Sequence, residues 1–413
     1  MTRDEKIAKL GKKITDRAAV LLGKEKLTET SPEFWGVSAG IDACGERGDD
    51  VLDVLLCMDK RKPVTTEQLV KKTGKSAQEL EEILTVAATV GLIEYHWENL
   101  DGKNPEHEKR WVLDMFVPGS AEIMMMHPDL ADNDPRIANF FERMAYLPLV
   151  GVTEMVPPGG AGIGMHVIPV EKAIETENRS ADIEHISHWL KKYEGKYAAS
   201  PCSCRMSRAR MGEGCADDPE DWCIGVGDMA DYLVETKKGH YVTYDEVLEI
   251  LRRAEDNGFV HQITNIDGEN KIFAICNCNV NICNALRTSQ LFNTPNMSRS
   301  AYVAKVKTEN CVACGRCVEY CPAGAVKLGQ KLCTQNGPVE YPRQELPDAV
   351  KWGPEKWWVD YRDKNRINGY DTGTAPCKTA CPAHIAVQGY LKMAAQGRYT
   401  DALALIKKEN PFP

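Results

Sequence analysis

Apolar positions between residues 50 and 118 change their spacing several times. "VLDVLLCMDK" is almost continuously apolar and predicts a buried helix. "TTEQLVKKTG" predicts a second helix, opened by a capping box between Thr65 and Gln68 and closed by Gly74. "SAQELEEILTVAATVG" predicts a third. Ser76 and Glu79 stand in capping-box relation, Leu80, Ile83, Leu84 and Ala87 share one face, and Gly91 ends it. The strand-like runs "LIEYHW" and "RWVLDMF" then flank the polar turn "ENLDGKNPEHEK". Three helices and a hairpin predict a winged-helix-like domain.

Farther along, "MHVIPV" reads as a short strand and "ADIEHISHWLKKYEG" as an amphipathic helix. "VTYDEVLEILRRAEDNG" is a helix capped by Thr243 with Glu246 and stopped by Gly258. "FVHQITNIDGENKIFAI" is a hairpin turning at Asp267-Gly268. This helix-then-hairpin order echoes residues 76–115, which allows a second winged-helix-like unit.

The expected fold class is α+β and multidomain. A helical segment (1–48) precedes the winged-helix-like domain (49–118). A linker and α/β segment (119–200), a cysteine-rich domain (201–297) and a ferredoxin-type domain (298–345) follow. An aromatic linker (346–373) and the start of a helical iron–sulfur domain (374–413) complete the order.

Composition narrows the class. The 413 residues are 43% hydrophobic and 27% charged, as in an ordinary soluble protein, and the net charge is −9. That balance excludes a dedicated nucleic-acid binder, which needs a basic surface. The third helix also carries Glu79, Glu81 and Glu82 where phosphate contacts would fall, so a structural or docking role is expected and DNA binding is not. The N-terminus has no signal-peptide core. The most apolar stretch, "LPLVGVTEMVPPGGAGIGMHVIPV", is broken by Pro and Gly and carries Glu154 and His166, so no membrane span is expected. Its "GGAGIG" departs from G-x-G-x-x-G and follows Pro157-Pro158, which makes it a loop and not a nucleotide cradle. The expected location is cytoplasmic.

Sixteen cysteines in such a chain need a purpose, because disulfides do not persist in a reducing compartment. Cys44 and Cys57 lie alone in apolar surroundings and read as plain buried residues. The other fourteen follow residue 200. "CVACGRCVEYCP" places Cys311, Cys314, Cys317 and Cys321 ahead of Pro322, the spacing of bacterial ferredoxins, and predicts a [4Fe–4S] cluster. "CNCNVNIC" supplies Cys276, Cys278 and Cys283, three ligands wanting a fourth. Either Cys321 serves this neighbouring triad and Cys333 completes the set of Cys311, Cys314 and Cys317, or Cys311 to Cys321 hold their own cluster and a water or other group fills the open iron at the triad. "PCSCRMSRARMGEGCADDPEDWC" offers Cys202, Cys204, Cys215 and Cys223, with Arg205, Arg208 and Arg210 to offset an anionic cluster. Structural zinc is the competing reading there; a catalytic thiol is disfavoured because no histidine lies in the segment. Twelve cysteines suffice for three four-iron clusters. Cys377 and Cys381 remain, as half a site.

Those two sit in "PCKTACPAHIAVQGYLKMAAQGRYTDALALIKKENPFP", with C-x3-C-P, a helix, a break at Gly397 and a second helix. This run resembles the start of the N-terminal iron–sulfur domain of the glutamate synthase small subunit and of dihydropyrimidine dehydrogenase. The resemblance implies further ligands in a Cys-Gly-Arg-x-Cys run, then a module that binds FAD and NAD(P); both would lie beyond Pro413 or in a partner. The upstream cysteines usual in that family are absent from "DKNRINGYDTGTA". Separately, "CSCR", "CNCN" and "CVACGRCVEYCP" together resemble a group of anaerobic ferredoxin-domain proteins.

In "DAVKWGPEKWWVDYRDKNR", Trp352, Trp357 and Trp358 suit a docking linker better than a nucleic-acid stacking surface, because acidic residues interrupt it. The functional expectation is an electron wire: clusters relaying single electrons for an FAD/NAD(P)H-dependent oxidoreductase, as its N-terminal part or subunit, with a flavin module or redox protein as partner. No general acid/base constellation is visible. The rivals are a redox-sensing winged-helix regulator and a zinc-stabilised scaffold.

Overall fold

The computed structural model of the chain describes residues 1–98, 104–152, 165–174, 184–212, 221–266, 271–287, 298, 300–302, 304–307, 311, 317, 326, 332–334, 337–339, 381–383 and 385–411. Two compact units divide it: residues 1–290 with 294–301, and residues 291–293 with 302–413. The first mixes helix and sheet.

It begins with α1 (Arg3–Ile14), α2 (Ala18–Leu21), α3 (Pro32–Ala43), α4 (Gly48–Cys57), α5 (Thr66–Thr73) and α6 (Ala77–Val90). The capping box of α5 forms as its sequence requires, with the Thr65 side chain accepting from the Gln68 amide. Helix α6 is capped by Ser76, but the reciprocal bond from Glu79 is not made. Gly91 follows in the left-handed region (φ 101°), and a Cβ there would come within 2.8 Å of the Met124 amide nitrogen. Strands β1 (Glu94–His96) and β2 (Arg110–Val112) pair antiparallel, joined by bridges from Val64 to Trp111 and from Lys60 to Leu113. Of the intervening turn, residues 99–103 lie outside the described residues.

Helices α7 (Ala121–Met125), α8 (Pro128–Asn133) and α9 (Pro135–Val152) lead into a six-stranded antiparallel sheet. Its strands are β3 (Met165–Ile168), β4 (Tyr197–Ser200), β5 (Cys223–Val226), β6 (His240–Tyr241), β7 (Val260–Thr264) and β8 (Ala274–Cys278), in the order β3-β7-β8-β5-β4-β6. Helices α10 (Ile186–Lys192), α11 (Ser203–Arg210), α12 (Asp228–Glu235) and α13 (Tyr244–Asp256) connect them. The expected hairpin is present as the β7–β8 pair, although its turn residues 267–270 lie outside the described set, as does "GGAGIG". Both strands belong to this wide sheet, so residues 244–278 form no separate repeat of residues 76–115.

Alternation along the strands divides the sheet into two faces. Ile224, Val226, Ile263 and Ile275 pack with Trp189, Leu190, Val247 and Leu251 under α10 and α13. The opposite face turns Cys223, Cys276 and Cys278 toward the N-terminal helices. A single hydrophobic cluster runs from Ile7 to Leu233, across the boundaries drawn from sequence at 48 and 118. Tyr232 of α12 ties these layers together: its hydroxyl donates to the Ala88 and Ile93 carbonyls at 2.9 Å each. Lys238 Nζ caps the end of α6 through the Ala88 and Thr89 carbonyls at 3.0 and 2.7 Å.

In the second unit β9 (Leu332–Thr334) pairs with β10 (Gly337–Val339), and α14 (Val387–Ala395) packs on α15 (Tyr399–Glu409). Gly397 joins those helices with φ 76°, the expected break. The aromatic linker lies outside the described residues. No helix among the described residues is long and apolar enough to cross a membrane.

Candidate metal centre

Two sequence segments bring thiols to one place in the first unit. Residues 202–204 stand at the start of α11, with Cys202 as the N-cap and Cys204 in the first turn. There the helix dipole and free backbone amides favour a thiolate. On β8, Cys276 and Cys278 are two residues apart and so share a face; Cys223 of β5 sits directly opposite Cys276 in the antiparallel register. Cys283 follows on the turn after β8. All six line one cavity, and all are free thiols.

Their sulfurs are hydrogen-bonded in sequence: Cys202 to Cys204, Cys204 to Cys283, Cys283 to Cys278, Cys278 to Cys276, and Cys276 to Cys223. Cys202 and Cys204 also raise Cys278 through their charge. Hydrogen bonds from Cys276 and Cys283 pull Cys278 down to about 6 against the opposing effect of burial. Cys202 is pushed well up by its bond to Cys204 and by burial. Cys276 is pushed up by Cys223, Cys278 and burial. At Cys204 the bond with Cys202 lowers and at Cys283 the bond with Cys204 lowers, yet the remaining thiol bond and burial outweigh it in both.

Further donors face these sulfurs. The Asn284 amide nitrogen lies 3.5 Å from Cys204 Sγ, and Gln262 Nε2 lies 3.7 Å from Cys283 Sγ. Arg205 is 1% exposed; it donates to the Asn277 carbonyl at 3.0 Å and places its guanidinium over Phe259 and Trp222 at 4.5 and 5.2 Å. It thus fixes α11 to β8 and puts a cation between the two cysteine segments. Arg208 approaches Glu142 at 3.8 Å. Arg210 turns outward to Asp132 at 2.5 Å, so it does not serve the thiols as its place in the sequence suggested. Arg287, absent from the sequence expectation, does stand close: it pairs with Glu142 at 2.5 Å and bonds Asn284 Oδ1 at 2.9 Å.

The donor set suits an iron–sulfur cluster in kind: soft thiolates, N–H groups on sulfur and buried arginines. Among the described residues no three His, Cys, Asp or Glu groups are arranged to hold a single metal ion. Cys215, placed by sequence with Cys202, Cys204 and Cys223, lies outside the described residues. The separate grouping of "CSCR…C" and "CNCNVNIC" changes, because antiparallel pairing of β5 with β8 and the packing of α11 interleave the two sets. Sequence spacing carries no sign of that, since register is set by the whole sheet.

In the second unit Cys311 is half-buried and Cys317 exposed. The Cys311 carbonyl accepts from Lys392 Nζ, which brings α14 against the ferredoxin run. Cys333 is the middle residue of β9, opposite Pro338, and Cys381 is half-buried. Cys314, Cys321 and Cys377 lie outside the described residues. Cys44 is buried as expected, whereas Cys57 is only half-buried; both donate to the carbonyls four residues back, and burial pushes Cys44 up to about 12.

Residues 304–327 match the 4Fe-4S binding domain family. That match decides the chemistry of the run: this chain contains a ferredoxin-type iron–sulfur domain, which supports a role in electron transfer. No curated protein and no solved structure matches the chain.

Proposed function

We propose that this chain is an electron-transfer component of an FAD/NAD(P)H-dependent oxidoreductase, working in an anaerobic setting. The observation that carries the reading is the match at residues 304–327, which spans the C-x2-C-x2-C-x3-C-P run. A four-iron cluster there supplies one-electron transfer, complementing a flavin that accepts hydride and releases electrons singly. Cys311, Cys314, Cys317 and Cys321 are its proposed ligands. Lys392 on the Cys311 carbonyl holds a cation beside them, which favours the reduced, more anionic state.

A second cluster site is proposed at Cys202, Cys204, Cys278 and Cys283. Its ligands are already joined by hydrogen bonds and their charge is offset by the α11 terminus and by Arg205. The cross-strand pair Cys223 and Cys276 adjoins it. The C-x3-C-P segment with its two helices supports the resemblance to the glutamate synthase type of iron–sulfur domain, in which Cys377 and Cys381 take their remaining ligands from outside this pair. A partner or adjoining module would bind the FAD and NAD(P).

The regulator reading fares worse on the surface of α6. Glu82 pairs with Arg47 at 2.8 Å and Glu79 with Lys75 at 2.5 Å, while Glu81 takes a bond from Thr66. Those cations are engaged by carboxylates, leaving a face that repels phosphate. Docking to another protein is the role proposed for this helix–ribbon module.

Air-free purification with iron and sulfide counts, then electron paramagnetic resonance after dithionite reduction, tests the proposal. Two or more four-iron signals per chain are expected. A folded, colourless protein holding zinc or no metal would sink it, and salt-resistant duplex DNA binding that follows cluster oxidation would favour the regulator.

A further inference from the structure

The thiols form only part of the wall of their cavity. Its volume is about 440 Å³, within the range of small-molecule pockets (about 300–1,000 Å³). The remaining lining includes Met126, Phe141, Met144, Met229, Leu233 and Ile266, drawn from α9, α12 and the residues that follow α7 and β7. These apolar side chains come from elements that contribute no thiol. They extend the cavity wall beyond the thiols with an apolar surface of the kind that encloses an organic molecule.

Two polar groups on the same wall are fitted to a specific ligand. The Asn284 side chain is 7% exposed and lines the cavity, and its Nδ2 has no hydrogen-bond partner. Its Oδ1 is fixed by Arg287, so the amide cannot turn over without losing that bond. A buried donor without an acceptor costs about 1–3 kcal/mol, so such a group points to something that binds there. Glu122 of α7 is the second. Its Oε2 accepts from the Gly119 amide at 2.5 Å, while its backbone carbonyl accepts from Ser203 Oγ at 3.0 Å, between Cys202 and Cys204. Burial pushes the Glu122 carboxyl up to about 8, helped by nearby Asp16 and Asp114, so at neutral pH it is a second donor. The cations on this wall are already matched: Arg61 bonds Asp114 at 2.7 Å, and Lys271 lies 3.3 Å from Glu98.

We infer that this cavity is a binding site for a small, uncharged carbonyl compound, whose apolar body packs among the methionines and Phe141 and whose oxygen accepts from Glu122 or Asn284. A charged carboxylate or phosphate would meet acidic side chains and no free cation among the lining residues just named. A pure hydrocarbon would leave the Asn284 amide unmatched. The site stands whether or not the thiols hold iron, so its failure and that of the electron-transfer reading are separate results.

Benzophenone serves as the probe, since it is an uncharged diaryl ketone that photolabels nearby C–H bonds. The full chain, purified without air and with its iron counted, is irradiated with benzophenone, and the labelled peptides are mapped by mass spectrometry. Labelling is expected on peptides carrying Met126, Met144 or Met229. Acetophenone should suppress it, and cumene, of the same shape without the carbonyl, should not. Glu122→Leu should weaken labelling roughly three- to tenfold, the worth of one hydrogen bond. Glu122→Gln keeps an N–H donor and should retain it, and Met144→Trp should abolish it by filling the space. Labelling scattered over the surface, equal suppression by cumene, or indifference to both Glu122→Leu and Met144→Trp in folded protein overturns the inference.

Discussion

The two thiol-rich regions of this molecule are built by opposite routes. In the ferredoxin run four cysteines lie within eleven residues, so chain connectivity alone brings them near one another. In the first unit Cys204 and Cys283 are seventy-nine positions apart, and only the docking of α11 beside β8 makes them neighbours. A local motif can form its site before the domain is complete. A dispersed one depends on sheet register, helix packing and a buried arginine, and so inherits the stability of the whole unit.

The largest effect that can break this contrast is loss of ligand. Cys204→Ala or Cys283→Ala should remove about four irons per chain and leave the ferredoxin-type signal intact. Cys311→Ala should do the reverse, read by iron counts and paramagnetic resonance. Loss of both signals from Cys283→Ala would mean that the two sites share ligands.

Next comes the dependence on global stability. Arg205→Met removes the bond to Asn277 and the contact with Phe259 and Trp222, and leaves polar atoms of the core unmatched. Destabilisation of about 2–4 kcal/mol is expected by urea titration, with iron lost from the dispersed site first. A ferredoxin signal that falls in parallel would erase the distinction between local and dispersed sites.

A pH titration sharpens the same point. Glu122 keeps its proton up to about pH 8 in the folded chain but releases it near pH 4.5 when unfolded. Over that window the unfolded state binds fewer protons, so stability is fully present below about pH 4.5 and declines as pH rises toward 8. Urea midpoints should fall over that range in the native chain and fall less steeply in Glu122→Gln. An unchanged slope would show that Glu122 is ionised in the fold.

The smaller effects test the joints. Tyr232→Phe loses the bonds to Ala88 and Ile93 and should cost about 1–2 kcal/mol, since it joins α12 to the end of α6. Lys392→Met should leave stability almost unchanged and shift only the midpoint potential of the ferredoxin-type signal, toward more negative values.

Much of the local structure was legible in the residues themselves. The caps at Thr65 and Thr243, the glycine ends of α5 and α6, the β7–β8 hairpin and the break at Gly397 all follow from short-range sterics and hydrogen bonding. So was the ferredoxin run, whose four cysteines lie within eleven residues. Glu122 and Asn284 were not legible: one acid in "AEIMMM" and one amide after Cys283 look like ordinary helix and turn residues.

Composition and spacing determined that this chain gathers thiols for metal chemistry and where its helices and hairpins begin and end. Which thiols from distant segments line one cavity, and that an unmatched amide and apolar side chains lie against them, was decided only when β5 paired with β8 and α11 closed over them. The reason is range: caps and loops are set by atoms a few bonds apart, whereas register and packing minimise the free energy of the entire unit at once.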